Sequence, residues 1–208
     1  SLAELVAAAV EAKEPISKIV LREQAEVAET TEEALYQTME RSLSVMRESV
    51  EDGFDPDKRS ASGLTGGDAF KMKKVVEENK NICGEIFGTA MAKALAVSHT
   101  NACMGKIVAA PTAGSCGILP AALLTISKKR NVANHDVVMS LFTASAVGMI
   151  IANNASIAGA EGGCQAECGA ASAMAAAAMV ELSGGTPEMC AHACAIALKN
   201  ILGLVCDP

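Results

Sequence analysis

The sequence predicts an all-α fold, one compact multi-helix body over residues 1–208, and three observations carry it. Half of the 208 residues are hydrophobic but only 2% are aromatic, so Ala, Val, Ile, Leu and Met must fill the interior, side chains small enough for helices to pack closely. Apolar residues recur at intervals of three and four in several stretches. No strand-type alternation and no internal repeat competes with them. About seven or eight helices are expected.

Taken in order, residues 1–100 carry thirty of the forty-one charged side chains and form the solvated jacket, while residues 101–208 form the interior. Thr30 followed by Glu33 reads as a capping box. Behind it Leu35, Met39, Leu43, Met46 and Val50 make one apolar stripe, predicting an amphipathic helix to about Glu51. Residues 52–70, "DGFDPDKRSASGLTGGDAF", are rich in Gly, Ser and Asp and predict a long loop, a feature that in compact domains is usually functional or disordered. Helical spacing resumes through Val75, Val76, Ile82, Ile86, Phe87 and Ala90, then breaks near "SHTNACMGK" and "APTAGSCG". Late in the chain, Gly184 and Gly185 close one helix, with Thr186 as N-cap and Pro187 at the first position of the next.

Composition excludes some classes of function. A net charge of −7 repels phosphate backbones, which argues against nucleic-acid binding. Two uncharged runs, residues 107–127 and 137–160, are long enough to cross a bilayer. They are dominated by Ala and Gly, the first is broken by Pro111 and Pro120, and neither has an aromatic belt, so buried core helices are expected. No stretch resembling a signal peptide precedes the eight cysteines, which favours a reducing cytosol over a disulfide scaffold.

Glycine and proline before the apolar run in "APTAGSCGILPAALL" form a tight helix entry. There, backbone N–H groups and the helix dipole favour a carboxylate or phosphate, and Thr112 and Ser115 add hydroxyls. The ordinary alternative is a cap between packed helices. The Lys–hydroxyl pair of a P-loop is missing. In "SGLTGGDA" small residues let a backbone approach a ligand, with hydroxyls at Ser62 and Thr65; a mobile surface loop is the alternative.

Cys83, Cys103, Cys168, Cys190 and Cys194 read as core filler, because a buried thiol behaves as a small hydrophobe. Cys164 differs: "GGC" sits at a break before a helix, where the dipole favours a thiolate. Cys206 lies in a C-terminal turn, and two thiols on distant turns suit an iron–sulfur cluster better than a redox pair. Of three histidines, His99 lies in the break before "NACMGK" and is the one with a route to a pocket, while His135 falls in an N-cap segment and His192 inside a helix.

The ordered set "SGLTGGDA", "GKIVAAPTAGSCGILPA", "NNASIAGAEGGCQAECGAASAMAAA" and "GLVCDP" closely resembles the α chain of the bacterial iron–sulfur L-serine dehydratases, over essentially the whole chain. The resemblance implies an oxygen-sensitive [4Fe–4S] enzyme of amino-acid degradation in the cytoplasm. It would turn L-serine into pyruvate and ammonia without pyridoxal phosphate, with a β chain or β domain as partner in an oligomer. Carried over by motif, Cys164 and Cys206 match cluster-ligand positions. A further cysteine follows "CDP" in the family, in a stretch resembling "VPCxxRN". This chain stops at Pro208, so the chain alone is expected to hold no intact cluster and to be inactive.

Serine's α-proton is weakly acidic and its hydroxide leaves poorly, so the reaction needs a Lewis acid at oxygen and a base at carbon. Candidate bases are His99 and Lys106, unless the β partner supplies one. Ser62, Thr65, Thr112, Ser115, Asn154 and Ser156 are candidates for substrate binding. Three alternatives stay open: a related lyase or desulfidase acting on another small β-substituted amino acid such as cysteine or threonine, a non-catalytic helical binding module, and a small-residue membrane bundle.

Overall fold

The computed structural model describes residues 1–204, and these are all-α, with nine helices and no strand among them. They are α1 (Leu2–Ala12), α2 (Ile16–Val27), α3 (Glu32–Gly53), α4 (Asp68–Glu77), α5 (Gly84–Ala102), α6 (Ile118–Arg130), α7 (Asn134–Asn154), α8 (Gly159–Leu182) and α9 (Pro187–Ile201). The chain forms two compact units: Ser1–Arg41 with the described residues from Val132 onward, and Ser42–Asn131.

In the first unit α7 packs on α2 and α8, and α8 on α9. Small side chains make this possible. Ala144, Ala171, Ala173, Ala177 and Ala178 have no exposed surface, and Phe142 is the large side chain sunk among them. Gly148 of α7 gives room to Met174 of α8, since a Cβ there would stand 2.9 Å from the Met174 sulfur. Glu181 near the end of α8 ties three helices: one carboxylate oxygen accepts the Thr143 hydroxyl at 2.7 Å and the Ser17 N–H at 3.2 Å. The second bond satisfies an orphan donor in the first turn of α2.

In the second unit α5 packs on α4 and α6. Gly53, the last residue of α3, meets the Ala96 carbonyl of α5 so closely that a Cβ would fall 1.8 Å from its oxygen. One turn further along α5, the Thr100 hydroxyl donates to the Ser49 carbonyl at 2.7 Å. Lys128, Lys129 and Arg130 fill the last turn of α6 and complement its dipole before Asn131 closes the helix with φ 52°.

Several sequence expectations shift by a residue or a turn. The cap of α3 is Thr31, whose hydroxyl accepts the Ala34 N–H at 3.1 Å; the Thr30 N–H bonds back to Ala25, so Thr30 belongs to the preceding turn. The helix runs to Gly53 instead of Glu51. The run from Val75 to Ala90 is two helices, because Asn79 takes φ 53° and ends α4; Ile82 and Phe87 are consequently exposed. Helix α5 continues through Ala102, so His99 lies within it and not in a break. The close of α8 at Gly184, with φ 82°, and the Thr186 cap with Pro187 behind it follow the sequence reading. α1 and α2 bring the number of helices above the eight expected. They are marked by the Ser1–Glu4 capping box and by Pro15.

Of the two apolar runs, residues 107–127 divide between a loop and α6, while the other is mostly α7. α7 is the one described helix long and apolar enough to cross a membrane, and just over half of that window is buried within the protein.

Candidate functional site

In the second unit, the glycine-rich loop is built by its own hydroxyls. The Ser60 N–H donates to the Thr65 carbonyl at 2.9 Å, and the Thr65 N–H to the Ser60 hydroxyl at 3.2 Å. Ser62 lies 3.2 Å from the Ser60 hydroxyl and accepts the Leu64 N–H. Ser62 and Thr65 are thus neighbours in one exposed turn. Beneath it the Arg59 guanidinium donates to the carbonyls of Pro56 and Lys58, both at 2.7 Å. Gly66 is pressed against Arg59 and Lys58, and its φ of 151° suits glycine.

His99 anchors this loop. It is only 3% exposed; Nδ1 lies 3.0 Å from the Gly53 carbonyl oxygen and Nε2 3.0 Å from that of Lys58. Neither nitrogen points into open space. Beside it the Lys58 ammonium pairs with Asp52. That hydrogen bond holds the Asp52 carboxyl below the usual range, helped by Thr100 and His99 and opposed by burial.

The segment "APTAGSCG" enters α6 through Gly117 without a side-chain cap. Ser115 is 2% exposed and knits the turn: its hydroxyl lies 3.2 Å from that of Thr112, accepts the Thr112 N–H at 3.4 Å and bonds the Ala110 carbonyl at 3.3 Å. Asn101 at the end of α5 donates to the Ala113 carbonyl and fixes the loop from outside. The Lys106 side chain is exposed.

In the first unit a second bend lies between α7 and α8. Asn154 closes α7 with its amide donating to the Ile150 carbonyl at 2.7 Å. The Ser156 hydroxyl donates to Glu161 at 2.7 Å and accepts the Ala158 N–H. Helix α8 is then interrupted at Gly163, with φ 73° and ψ 173°, a conformation open essentially to glycine alone. Cys164 is the first residue beyond this break and is exposed. Glu167 folds back over Gly159, where a Cβ would lie 2.7 Å from its carboxylate. Asn154, Ser156 and Cys164 therefore share one glycine-rich bend, and the sequence reading missed Glu161, although it lies within the quoted motif.

The other thiols differ in setting. Cys190 and Cys194 are buried as expected; burial first, then Glu181 and Cys194, pushes the Cys190 thiol up to about 12. Burial likewise pushes Cys194 up to about 11, and its thiol donates to the Ala173 carbonyl at 3.4 Å. Cys83 is exposed at the head of α5, and Cys103 and Cys168 are half-buried, so for these three core filling does not hold.

An iron–sulfur cluster takes thiolate ligands. Cys164, exposed at a helix break, has the chemistry for one, whereas Cys190 and Cys194 are held protonated in the core. Among the described residues no three His, Cys, Asp or Glu side chains gather to hold a metal ion. Cys206 and the "CDP" motif lie outside the described residues.

The described residues are thus all helices and their connections, with Ser62, Thr65, Thr112, Ser115, Ser156 and Cys164 at breaks and His99 inside α5. The chain belongs to the serine dehydratase alpha chain family, whose model matches residues 11–208. It is 49% identical over 193 residues to a probable L-serine dehydratase alpha chain of Bacillus subtilis, covering 93% of this chain and 64% of that one. To the L-serine dehydratase alpha chain of Peptoniphilus asaccharolyticus it is 43% identical, covering 93% and 66%. To the L-serine dehydratase TdcG of Escherichia coli it is 49% identical over 116 residues, 55% of this chain and 26% of that protein. The chain spans just under two thirds of the length of the first two relatives.

Proposed function

We propose that the chain is the α part of an L-serine dehydratase that converts L-serine to pyruvate and ammonia in the cytoplasm, acting with a β chain in an oligomer. The observation carrying this reading is its family membership across residues 11–208, with relatives named for that reaction.

Cys164 and Cys206 would hold a [4Fe–4S] cluster as two of its thiolate ligands. When bound, such a cluster supplies Lewis acidity that makes the serine hydroxyl a better leaving group. The bend after α7 serves the substrate's polar end. The Asn154 amide is turned inward to Ile150, which leaves its carbonyl oxygen to accept from an ammonium, and Ser156 is aimed by Glu161. Within the second unit, taken by itself, the hydroxyls of Thr112 and of the Ser62–Thr65 turn are candidates for contact with a polar group, with Ser115 setting the shape of the Thr112 loop.

Of the two candidate bases, Lys106 presents its amine to solvent. His99 acts as a positioning residue, because both ring nitrogens face main-chain carbonyls. Loss of the α-proton and of hydroxide leaves aminoacrylate, whose imine form hydrolyses to pyruvate and ammonia.

The test is anaerobic turnover of the complete α/β enzyme, reconstituted with iron and sulfide, on L-serine, L-threonine and L-cysteine. Equal yields of pyruvate and ammonia from serine, with about four iron per α chain, are expected. No turnover of serine at full iron loading, or a preference for cysteine, would overturn the assignment.

A further inference from the structure

Within the second unit, α3, α4, α5 and α6 line a half-open cavity of about 530 Å³ that shares no residue with the candidate site above. Its size suits a small molecule. Lys93 of α5, Lys128 of α6 and Lys73 of α4 reach its wall, as do Glu51, Glu77 and Glu85. The carboxylates do not cancel the amines. Glu85 is drawn to Lys129 at 2.7 Å, leaving Glu51 and Glu77 against three ammonium groups. Lys73 lies over the Phe54 ring, 4.6 Å from its centre. Among the described residues, no carboxylate comes within ion-pairing distance of Lys93 or Lys128.

We propose that this cavity is a binding site for a small oxyanion, a carboxylate or phosphate group held between the ammonium groups of Lys93 and Lys128. A half-buried cation costs free energy unless it is paired, and a second cation beside it adds to that cost. Both effects act on Lys93. Burial first, and Lys128 second, lower its amine to about 8, against the opposing pull of Glu51. An anion between the two lysines relieves both at once. Glu51 and Glu77, exposed residues of the same lining, set the selectivity, since they repel a large polyanion while leaving room for a compact one.

Competitive acylation of the lysines near neutral pH, read residue by residue by mass spectrometry on the full chain, tests this. The probes are inorganic phosphate and acetate, each against chloride at matched ionic strength. Lys93 is expected to be acylated faster than exposed Lys13 or Lys71, and phosphate or acetate to slow Lys93 several-fold, saturably, leaving Lys13 and Lys71 unchanged.

In Lys128→Gln, at an exposed position, acylation of Lys93 without anion is expected to fall and the protection to vanish. Protection equal in chloride, protection spread over all lysines, no protection by either anion, or protection undiminished in Lys128→Gln would each overturn the proposal. No turnover or cluster enters the readout, so this site stands or falls apart from the dehydratase assignment.

Discussion

His99 holds Gly53: Nδ1 of its ring lies 3.0 Å from the Gly53 carbonyl oxygen, one helix turn from the point where Gly53 meets Ala96. The other ring nitrogen reaches Lys58, so a single side chain of α5 joins the end of α3 to the start of the glycine-rich loop. A neutral imidazole donates to one of these carbonyls and an imidazolium to both. Replacing His99 by Ala takes this partner from the Gly53 carbonyl, leaves the Lys58 carbonyl with Arg59 alone, and opens a void. About 3 kcal/mol of stability is expected to be lost, the sum of a cavity and a buried hydrogen bond. Denaturant unfolding measures the loss, and faster tryptic cleavage at Lys58 and Arg59 reports the released loop. Unchanged cleavage would remove His99 from the role of loop anchor.

Gly53 itself admits no side chain. In Gly53→Ala the new methyl would lie 1.8 Å from a main-chain oxygen, which no rotamer change can relieve. Helices α3 and α5 must part, at a cost of about 3 kcal/mol or more by the usual penalty for overpacking. Gly63→Ala in the loop, where nothing lies within 4 Å, is the comparison. Its strain comes from φ alone, so the expected loss is smaller, about 1 kcal/mol.

At Gly163 the backbone conformation presents Cys164. Gly163→Ala is expected to move the break, because φ 73° with ψ 173° is closed to alanine. The readout is alkylation of Cys164 by iodoacetamide in the protein without iron. The rate should change several-fold, while the rate of Cys83, on another unit, stays constant. Bound cluster should protect Cys164 in the unaltered protein, and full alkylation at full iron loading would exclude it as a ligand.

What the sequence made legible follows from how local each signal is. The Thr186–Pro187 start and the Gly184 stop are set within a few residues and could be read directly. So could the Cys164 break, because "GG" before a thiol is itself the cause. His99 was misplaced because the glycine-poor end of α5 carries no stop signal before Met104, whose φ of 60° turns the chain. Its partners lie more than forty residues earlier, and spacing cannot reveal them. Residue type alone points Cys83 and Cys103 to the core, but burial depends on which face of a helix meets a neighbour. Glu161 and Asp52 were overlooked because a single acid in a polar stretch looks solvated until its partner is known.

Glu181 offers a test of the first unit. Its carboxylate receives the Thr143 hydroxyl and the first-turn N–H of Ser17 through one oxygen. Glu181→Ala should cost about 2 kcal/mol, the range for hydrogen bonds to a charged acceptor. Glu181→Gln, which keeps an oxygen but not the charge, should cost less. Equal losses would mean that packing alone matters there. Thr143→Val in the Glu181→Ala background should add little, since the two changes remove the same bond.

Alkaline pH separates two opposed contributions to stability. Cys190 and Cys194 ionise near 9 when unfolded but are pushed up to about 12 and about 11 in the folded protein, and burial raises Tyr36 as well. A folded pKa above the unfolded one gives stability that is complete below the unfolded value and lost as pH climbs toward the folded value. These groups therefore destabilise the protein progressively above pH 9. Lys93 has the reverse sign. Its amine falls from 10.5 to about 8 on folding, so the penalty of holding it charged is full below 8 and gone above 10.5. Lys93→Met removes that penalty while keeping the apolar stem. The variant should melt at a higher temperature than the parent at pH 7, and this advantage should shrink across pH 8 to 10.5 and vanish beyond. Cys190→Ala should instead flatten the decline above pH 9. A Lys93→Met advantage that stays constant from pH 7 to 10.5 would mean the amine is charged and solvated throughout, with no desolvation to relieve.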